Sequence, residues 1–122
     1  VQATSPLIQS SDFDNALSQL IDSRKDSLLT CARVKRFFWA DNAKPINYDY
    51  TNRPRRQDFI GQLVENGSFY INQIGNIVKN KNRLSGEIAI YEMPEYPYIE
   101  LDEQDDWLLA EALMRKYILP LE

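Results

Sequence analysis

The sequence contains no histidine and only one cysteine. Without histidine, a Ser-His-Asp triad, a Cys-His pair and a histidine-ligated metal are all excluded. A single cysteine cannot form a disulfide within the chain. Cys31 lies in the apolar run Leu28-Leu29-Thr30-Cys31-Ala32, which favours a buried structural thiol over a nucleophile. Any chemistry must therefore rest on carboxylates, amides, arginines and a metal ion.

Long apolar runs and excess positive charge are also missing. No run approaches the ~20 apolar residues that cross a bilayer, and no signal-peptide pattern opens the chain. The formal net charge of −4 and a pI of about 4.9 argue against nucleic acid or a membrane surface as partners. With 122 residues, 43% hydrophobic and 26% charged, the composition predicts one globular domain over residues 1–122.

Hydrophobic periodicity predicts alternating helices and strands. An i, i+3, i+4 stripe predicts a helix over residues 12–24, capped by Ser11-Asp12. A nearly continuous apolar run predicts a strand over 27–34 that is buried on both faces. Further elements are expected at 35–40 (strand), 74–79 (helix), 87–91 (strand), 98–101 (strand), and as a last helix that Asp102 caps and that ends near Pro120. Helix followed by strand favours a three-layer α/β fold.

Three adjacent aromatic residues, Phe37, Phe38 and Trp39, cannot all face one core, because side chains alternate along a strand. Either one of them covers an oligomer interface, or they pack beneath the following loop. Residues 41–53 lack periodicity and predict that loop or arm.

Asn66-Gly67 also has two interpretations. Strand-like runs flank this pair, so it can form a tight two-residue turn. Alternatively, Asn66 faces a ligand and Gly67 allows close backbone approach.

Arg53, Arg55 and Arg56 stand directly before Gln57. Arginine suits the two-pronged binding of carboxylates and phosphates, because its planar fork matches two oxygens and keeps its charge. Exposed charges in a loop often carry no function, so a solvated loop is the competing interpretation.

Glu100 and Asp102 are two residues apart on a predicted strand, so both carboxylates project from the same face at its carboxyl end. Open α/β sheets place ligands at that end. Two carboxylates there can hold Mg²⁺, with water and substrate phosphates completing its shell. In the competing interpretation Asp102 only caps the following helix.

Four motifs together resemble the N-acylneuraminate cytidylyltransferases, the CMP-sialic acid synthetases. The central motif is Arg55-Arg56-Gln57-Asp58 followed by Glu65-Asn66-Gly67-Ser68-Phe69-Tyr70. The others, in family order, are Gln2-Ala3-Thr4-Ser5-Pro6-Leu7, Tyr91-Glu92-Met93 and Ile99-Glu100-Leu101-Asp102. The family's Gly-Ser-Lys nucleotide loop is absent from this sequence.

The resemblance implies the C-terminal half of a nucleotidyltransferase with a partial three-layer, Rossmann-like fold and a protruding dimerisation arm at 35–58. It implies transfer of CMP from CTP to a sialic acid, with Mg²⁺ as cofactor and pyrophosphate as product, in a homodimer. We expect this chain alone to bind CTP poorly and to turn over nothing. The expected location is the cytoplasm, or the nucleus for an animal protein.

The resemblance also assigns residues. It gives catalytic roles to Arg56 and Gln57, and metal binding to Asp102 and Glu100, although Glu100 replaces the family's usual aspartate. It gives substrate binding to six others: Gln2, Arg53, Arg55, Glu65, Asn66 and Tyr70. Three alternatives stay open: a non-catalytic dimerising remnant, a cytidylyltransferase for a related sugar acid, and an import signal at 52–56. The sequence leaves the particular acyl sugar undecided.

Overall fold

The computed structural model of the protein describes residues 1–96 and 99–119. Its elements are α1 (Ser10–Ser23), β1 (Ser27–Val34), β2 (Gln62–Asn72), α2 (Ile74–Asn80), β3 (Ile88–Met93) and α3 (Gln104–Tyr117). β1 has the predicted bounds, and the helices predicted near residues 12–24 and 74–79 are confirmed. None of the helices in the described ranges is long and apolar enough to cross a membrane.

The three strands form a mixed sheet in the order β2-β1-β3. β1 pairs with β2 in the antiparallel sense and with β3 in the parallel sense. The central strand is buried on both faces, as its apolar run predicts. The α/β class is therefore confirmed, and this open sheet is compatible with part of a nucleotidyltransferase-like fold.

The core lies between α1 and the sheet. Ala16 of α1 meets Leu28 of β1, Phe69 of β2 and Ala89 of β3, all of them almost fully buried. The Phe13 and Phe69 rings lie 4.7 Å apart between centroids, in a tilted arrangement. The apolar stripe that predicts α1 is thus the face that covers the sheet.

The predicted tight turn at Asn66-Gly67 is wrong, because both residues lie inside the continuous strand β2. The pairing of β1 with β2 shifts register between Leu29 and Cys31, so the ladder is irregular there while β2 continues in the same direction. Gly67 has φ of +65°, a conformation that glycine adopts without steric cost. An Asn-Gly pair indicates a residue with positive φ, which is common in tight turns. Here that residue belongs to an irregularity within a strand.

The strand expected over residues 35–40 is also wrong. Trp39 makes only an isolated bridge to Pro45 within an irregular segment. Phe37 packs against Tyr48 and Phe59, with centroids 4.2 and 4.9 Å apart, so the aromatics pack within their own loop. The Ala40 N–H donates to the Lys44 carbonyl and the Ile46 N–H to the Phe38 carbonyl, so the segment pairs only with its own loop and does not join the sheet.

The helix caps differ from those predicted. Gln9, and not Ser11-Asp12, precedes α1, and its N–H donates to Asp12 Oδ2 at 2.9 Å. Glu103, and not Asp102, is the N-cap of α3. Tyr98 lies outside the described residues, and residues 99–101 do not form a strand.

Candidate functional site

Three segments that are distant in sequence meet beside the middle of β2. The Gln2 N–H donates to the Ser68 carbonyl at 3.0 Å, and the Leu101 N–H donates to the Thr4 carbonyl at 2.9 Å. These two bonds hold the segment 2–4 between β2 and the segment that carries Glu100. The junction brings two predicted site residues, Gln2 and Glu100, into one place.

Gly67 makes this junction possible. A Cβ atom at this position would lie 3.0 Å from Glu100 Oε1 and 3.1 Å from Gln2 Cδ. Close approach at Gly67 is therefore observed for groups of this chain, whereas approach of a ligand to this backbone stays a prediction. A side chain at this position would push the ends of Gln2 and Glu100 away from their present positions over β2, at a backbone φ that glycine adopts most readily.

An open cleft of about 310 Å³ adjoins the junction and is lined by four carboxylates, Glu65, Glu100, Asp102 and Asp106. Asp106 is already committed, because its Oδ2 accepts the N–H groups of Asp102 at 3.0 Å and Glu103 at 2.7 Å. Asp102 accepts no hydrogen bond at its carboxylate from the part of the chain that the structure describes. It is therefore the carboxylate most open to a ligand.

Glu65 is held by Tyr70, which in turn contacts Arg83. The Tyr70 hydroxyl donates to Glu65 Oε1, and the Arg83 guanidinium lies over the Tyr70 ring, 4.7 Å from its centroid. Burial raises the pKa of the Tyr70 phenol, and the hydrogen bond to Glu65 raises it further. Tyr70 thus stays protonated and remains a donor to Glu65 over the physiological pH range.

Asn66 faces the interior and is only 1% exposed. The Thr30 hydroxyl donates to its Oδ1 at 2.5 Å, and its Nδ2 lies 3.5 Å from the Met93 sulfur. This amide spans the register shift between β1 and β2 in the described structure. Its contact with a sugar stays a prediction.

None of the predicted arginines lines the acidic cleft. Arg53, Arg55 and Arg56 are all exposed, as is Gln57. The Arg53 guanidinium lies over the Phe37 ring, 4.6 Å from its centroid. No ion pair joins these arginines to the cleft carboxylates in residues 1–96 and 99–119.

Cys31 is a buried thiol, as predicted, and is 4% exposed. Burial raises the pKa of its thiol, and the carboxylates of Glu65 and Glu92 add to the rise. A thiol that resists ionisation is a poor nucleophile.

Two residues near the site were not predicted from the sequence. Asp106 had a usable signal, since it stands three residues after the N-cap Glu103, the spacing of a capping box. Arg83 lies in a polar loop, and no local pattern indicates that it reaches Tyr70.

The donor atoms of the cleft suit a hard cation, since Mg²⁺ prefers oxygen ligands and often takes only one or two carboxylates. Across the described ranges, however, no group of three or more aspartate, glutamate, cysteine or histidine side chains is arranged to hold a metal ion. The cleft therefore offers at most a partial shell from protein groups.

No protein-family model matches the chain. The chain is 36% identical to an N-acylneuraminate cytidylyltransferase of Oncorhynchus mykiss, over 96% of this chain and 28% of that protein. It is 33% and 31% identical to N-acylneuraminate cytidylyltransferases B and A of Danio rerio, over 96% of this chain and 29% of each.

These relatives are cytidylyltransferases by name, so the resemblance carried by the four motifs is confirmed. More narrowly, the chain is similar over nearly its whole length to N-acylneuraminate cytidylyltransferases. It spans less than a third of the length of these relatives, a smaller share than the half that the resemblance implied.

Proposed function

We propose that the chain is part of a CMP-sialic acid synthetase, which transfers CMP from CTP to a sialic acid and releases pyrophosphate. The observation that carries the proposal is the similarity to three N-acylneuraminate cytidylyltransferases across 96% of the chain. The junction of Gln2, Gly67 and Glu100 supports it, because residues from separate motifs meet there. We assign the reaction to the cytoplasm, or to the nucleus in an animal cell.

In the proposed reaction the anomeric hydroxyl of the sugar acid attacks the α-phosphate of CTP. A new oxygen–phosphorus bond forms, the bond to pyrophosphate breaks, and the hydroxyl proton is released. Such a displacement needs positioning and neutralised charge more than a protein nucleophile. This requirement suits a chain without histidine and with a buried cysteine.

Arg56 and Gln57 would bind the sugar carboxylate and the charge that develops at phosphorus, with Arg53 and Arg55 as further contacts. The first two are exposed, so a ligand can reach them. Gln2, Glu65 and Tyr70 would line the sugar pocket beside β2. Their hydrogen bonds to neighbouring groups fix their positions before the ligand arrives.

Mg²⁺ would bind at Asp102, with Glu100 as the second candidate ligand. Asp102 supports this role because its carboxylate is exposed and accepts no hydrogen bond in the described chain. When bound, the ion supplies positive charge that neutralises the triphosphate.

The homodimer belongs to the same proposal. Residues 35–58 carry six basic and three acidic side chains, so this segment has a net charge of +3 in a chain of net charge −4. Trp39, Ile46 and Tyr50 on the same segment are 49%, 59% and 62% exposed. A basic, apolar arm complements an acidic cleft, and the arm of one subunit would bring its arginines to the cleft of the other.

The first test measures ligand binding by the chain itself. The ¹⁵N-labelled chain is titrated with N-acetylneuraminic acid, with and without CTP and Mg²⁺, while amide resonances are followed. We expect sugar-dependent shifts at Gln2 and Tyr70, and no comparable shifts with N-acetylmannosamine, which lacks the carboxylate. Equal responses to the two sugars would contradict recognition of a sugar acid.

The second test measures catalysis. The chain replaces the matched segment of the Oncorhynchus mykiss relative, and CMP-sialate formation from CTP is followed by chromatography. We expect an active hybrid that loses at least about 100-fold activity with Arg56→Ala or Asp102→Asn, but not with Lys79→Ala on exposed α2. A folded dimeric hybrid that forms no product would instead favour a non-catalytic dimerising protein.

A further inference from the structure

The side-chain amide of Gln2 faces two acceptors. With its nitrogen toward them, Nε2 lies 2.6 Å from the Gly67 carbonyl oxygen and 3.2 Å from Glu100 Oε1. The opposite orientation would set the amide oxygen against both acceptors. The hydrogen-bond network therefore assigns the orientation: the two N–H groups of Gln2 point into the junction.

We infer that Glu100 is a positioning residue, which locks the Gln2 amide so that Gln2 meets its ligand only as a hydrogen-bond acceptor. With both N–H groups engaged, Oε1 is the polar atom left to the ligand. Among the described residues no donor occupies it. Naming the ligand as a sugar acid rests on the proposed function, whereas the amide orientation does not.

Because the Glu100 carboxylate carries a negative charge, it favours only one orientation of the Gln2 amide. An ionised carboxylate is an acceptor only, and hydrogen bonds to charged groups are roughly twice as strong as neutral ones. A glutamine at position 100 could donate or accept, so it would tolerate either orientation of Gln2. The Gly67 carbonyl accepts a hydrogen bond from one N–H of the Gln2 amide. The second N–H therefore depends on Glu100 for its partner.

The fixed orientation of the Gln2 amide restricts which chemical group of a ligand can face it. A group facing Gln2 must donate, as a hydroxyl or an N-acyl N–H does, whereas a ligand carboxylate would be repelled from that point. The sugar carboxylate must then lie elsewhere, in keeping with the arginines of residues 53–56. One oxygen of Glu100 is thereby committed to Gln2, which leaves Asp102 as the leading metal ligand.

The orientation is tested in the ligand-free chain. The Gln2 side-chain amide is assigned in the ¹⁵N-labelled protein, and its proton shifts are compared in wild type, Glu100→Ala and Asp102→Asn. We expect both Gln2 amide protons to be shifted downfield, one by the Gly67 carbonyl and one by Glu100, and one of them to return toward the free-amide position in Glu100→Ala only. The backbone spectrum shows whether each variant is folded. If both Gln2 protons keep their shifts in folded Glu100→Ala, the inference is overturned.

The route by which Glu100 acts is tested by a double-mutant cycle on the affinity for N-acetylneuraminic acid without Mg²⁺. We expect Glu100→Gln and Gln2→Ala each to weaken binding about 3- to 10-fold, the scale of one hydrogen bond. The double variant should bind no more weakly than Gln2→Ala alone. Additive losses would show that Glu100 acts independently of Gln2 and overturn the inference.

The two proposals fail separately. If wild type binds no sugar acid, the proposed function is contradicted, and the amide shift in the ligand-free chain still decides the role of Glu100. If the sugar binds but Glu100→Ala leaves the Gln2 amide unchanged, the positioning role is contradicted and the proposed function stands.

Discussion

The junction around Gly67 and the segment 35–58 are two differently built halves of the proposed site. The junction joins residues nearly one hundred positions apart through backbone and side-chain hydrogen bonds. The segment 35–58 is held by aromatic contacts between near neighbours in sequence, and its arginines are exposed. The first half is thus pre-organised by the fold of one chain, whereas the second presents its charges outward, toward something it must meet.

This difference predicts that substitutions at the junction cost global stability, while substitutions in the segment 35–58 act locally. Gly67→Ala and Arg53→Ala test the contrast directly, and Thr30→Val and Glu92→Gln extend it to the neighbouring strands β1 and β3. The four follow from the largest expected effect to the smallest.

Gly67→Ala should destabilise the protein by about 2 to 4 kcal/mol, because the new Cβ meets Gln2 and Glu100 at a positive φ. The measurement is the free energy of unfolding in urea. Gly75→Ala is the matched control, since nothing lies within 4 Å of a Cβ there. In helix α2 that change should be neutral or stabilise by about 0.5 to 1 kcal/mol. If Gly67→Ala and Gly75→Ala lower the free energy of unfolding equally, the proposed role of Gly67 in the junction is contradicted.

Thr30→Val should cost about 1 to 3 kcal/mol, because it removes the closer of the two donors to the buried Asn66 Oδ1 and leaves only the Ser68 N–H, 3.3 Å away. It also removes the acceptor of the Phe69 N–H, 3.3 Å away. The control is Thr51→Val, at an exposed hydroxyl that bonds only Asp49 in the same turn. Thermal or urea unfolding that shows Thr30→Val to be as mild as this control would contradict a structural role for the Thr30–Asn66 bond.

Arg53→Ala should lower stability by only about 0.5 to 1 kcal/mol, the worth of an exposed cation–π contact with Phe37. Its main effect should be faster amide exchange within residues 35–60, with β1 and β2 unchanged. Arg55→Ala, which removes the same charge without an aromatic contact, should leave exchange as in wild type. If exchange in β1 accelerates, the segment is not independent of the sheet.

Glu92→Gln should change the free energy of unfolding least among the four substitutions, and its effect should depend most on pH. Glu92 pairs with Arg33 through two bonds of 2.8 and 3.0 Å, and the bond to Arg33 lowers the pKa of Glu92. A lowered pKa stabilises the folded state above the ordinary glutamate pKa, and this contribution is lost as pH falls through the lowered value. The variant should therefore be less stable than wild type at pH 7, and the gap should close in acid. A gap that persists at pH 2 would contradict this account.

Features that depend on local pattern could be predicted from the sequence. β1 was predicted with its bounds because a continuous apolar run indicates a strand buried on both faces. α1 was predicted because its apolar stripe indicates the helix face that packs on the core. The separate motifs that contain Gln2, Glu65 and Glu100 directed attention to residues that lie close together: Glu65 and Glu100 line one cleft, and Gln2 contacts Glu100.

Features that depend on distant partners could not be predicted. Asn66-Gly67 has the local signature of a turn, and only its contacts with Thr30 and Gln2 make it an irregularity within a strand. Phe37 to Trp39 have strand propensity, but Tyr48 and Phe59 offer them aromatic partners within the loop. The contact between Gln2 and Glu100 follows from the fold and has no local signal at either end.

The central claim is that the two halves complete one another between subunits. The direct measurement is CMP-sialate formation after mixing and refolding two inactive forms of the hybrid enzyme, one with Arg56→Ala and one with Asp102→Asn. Random pairing places an intact arm beside an intact cleft in half of the dimers, at one of two sites, so about a quarter of wild-type activity should return. A mixture that forms mixed dimers yet stays inactive would contradict the claim.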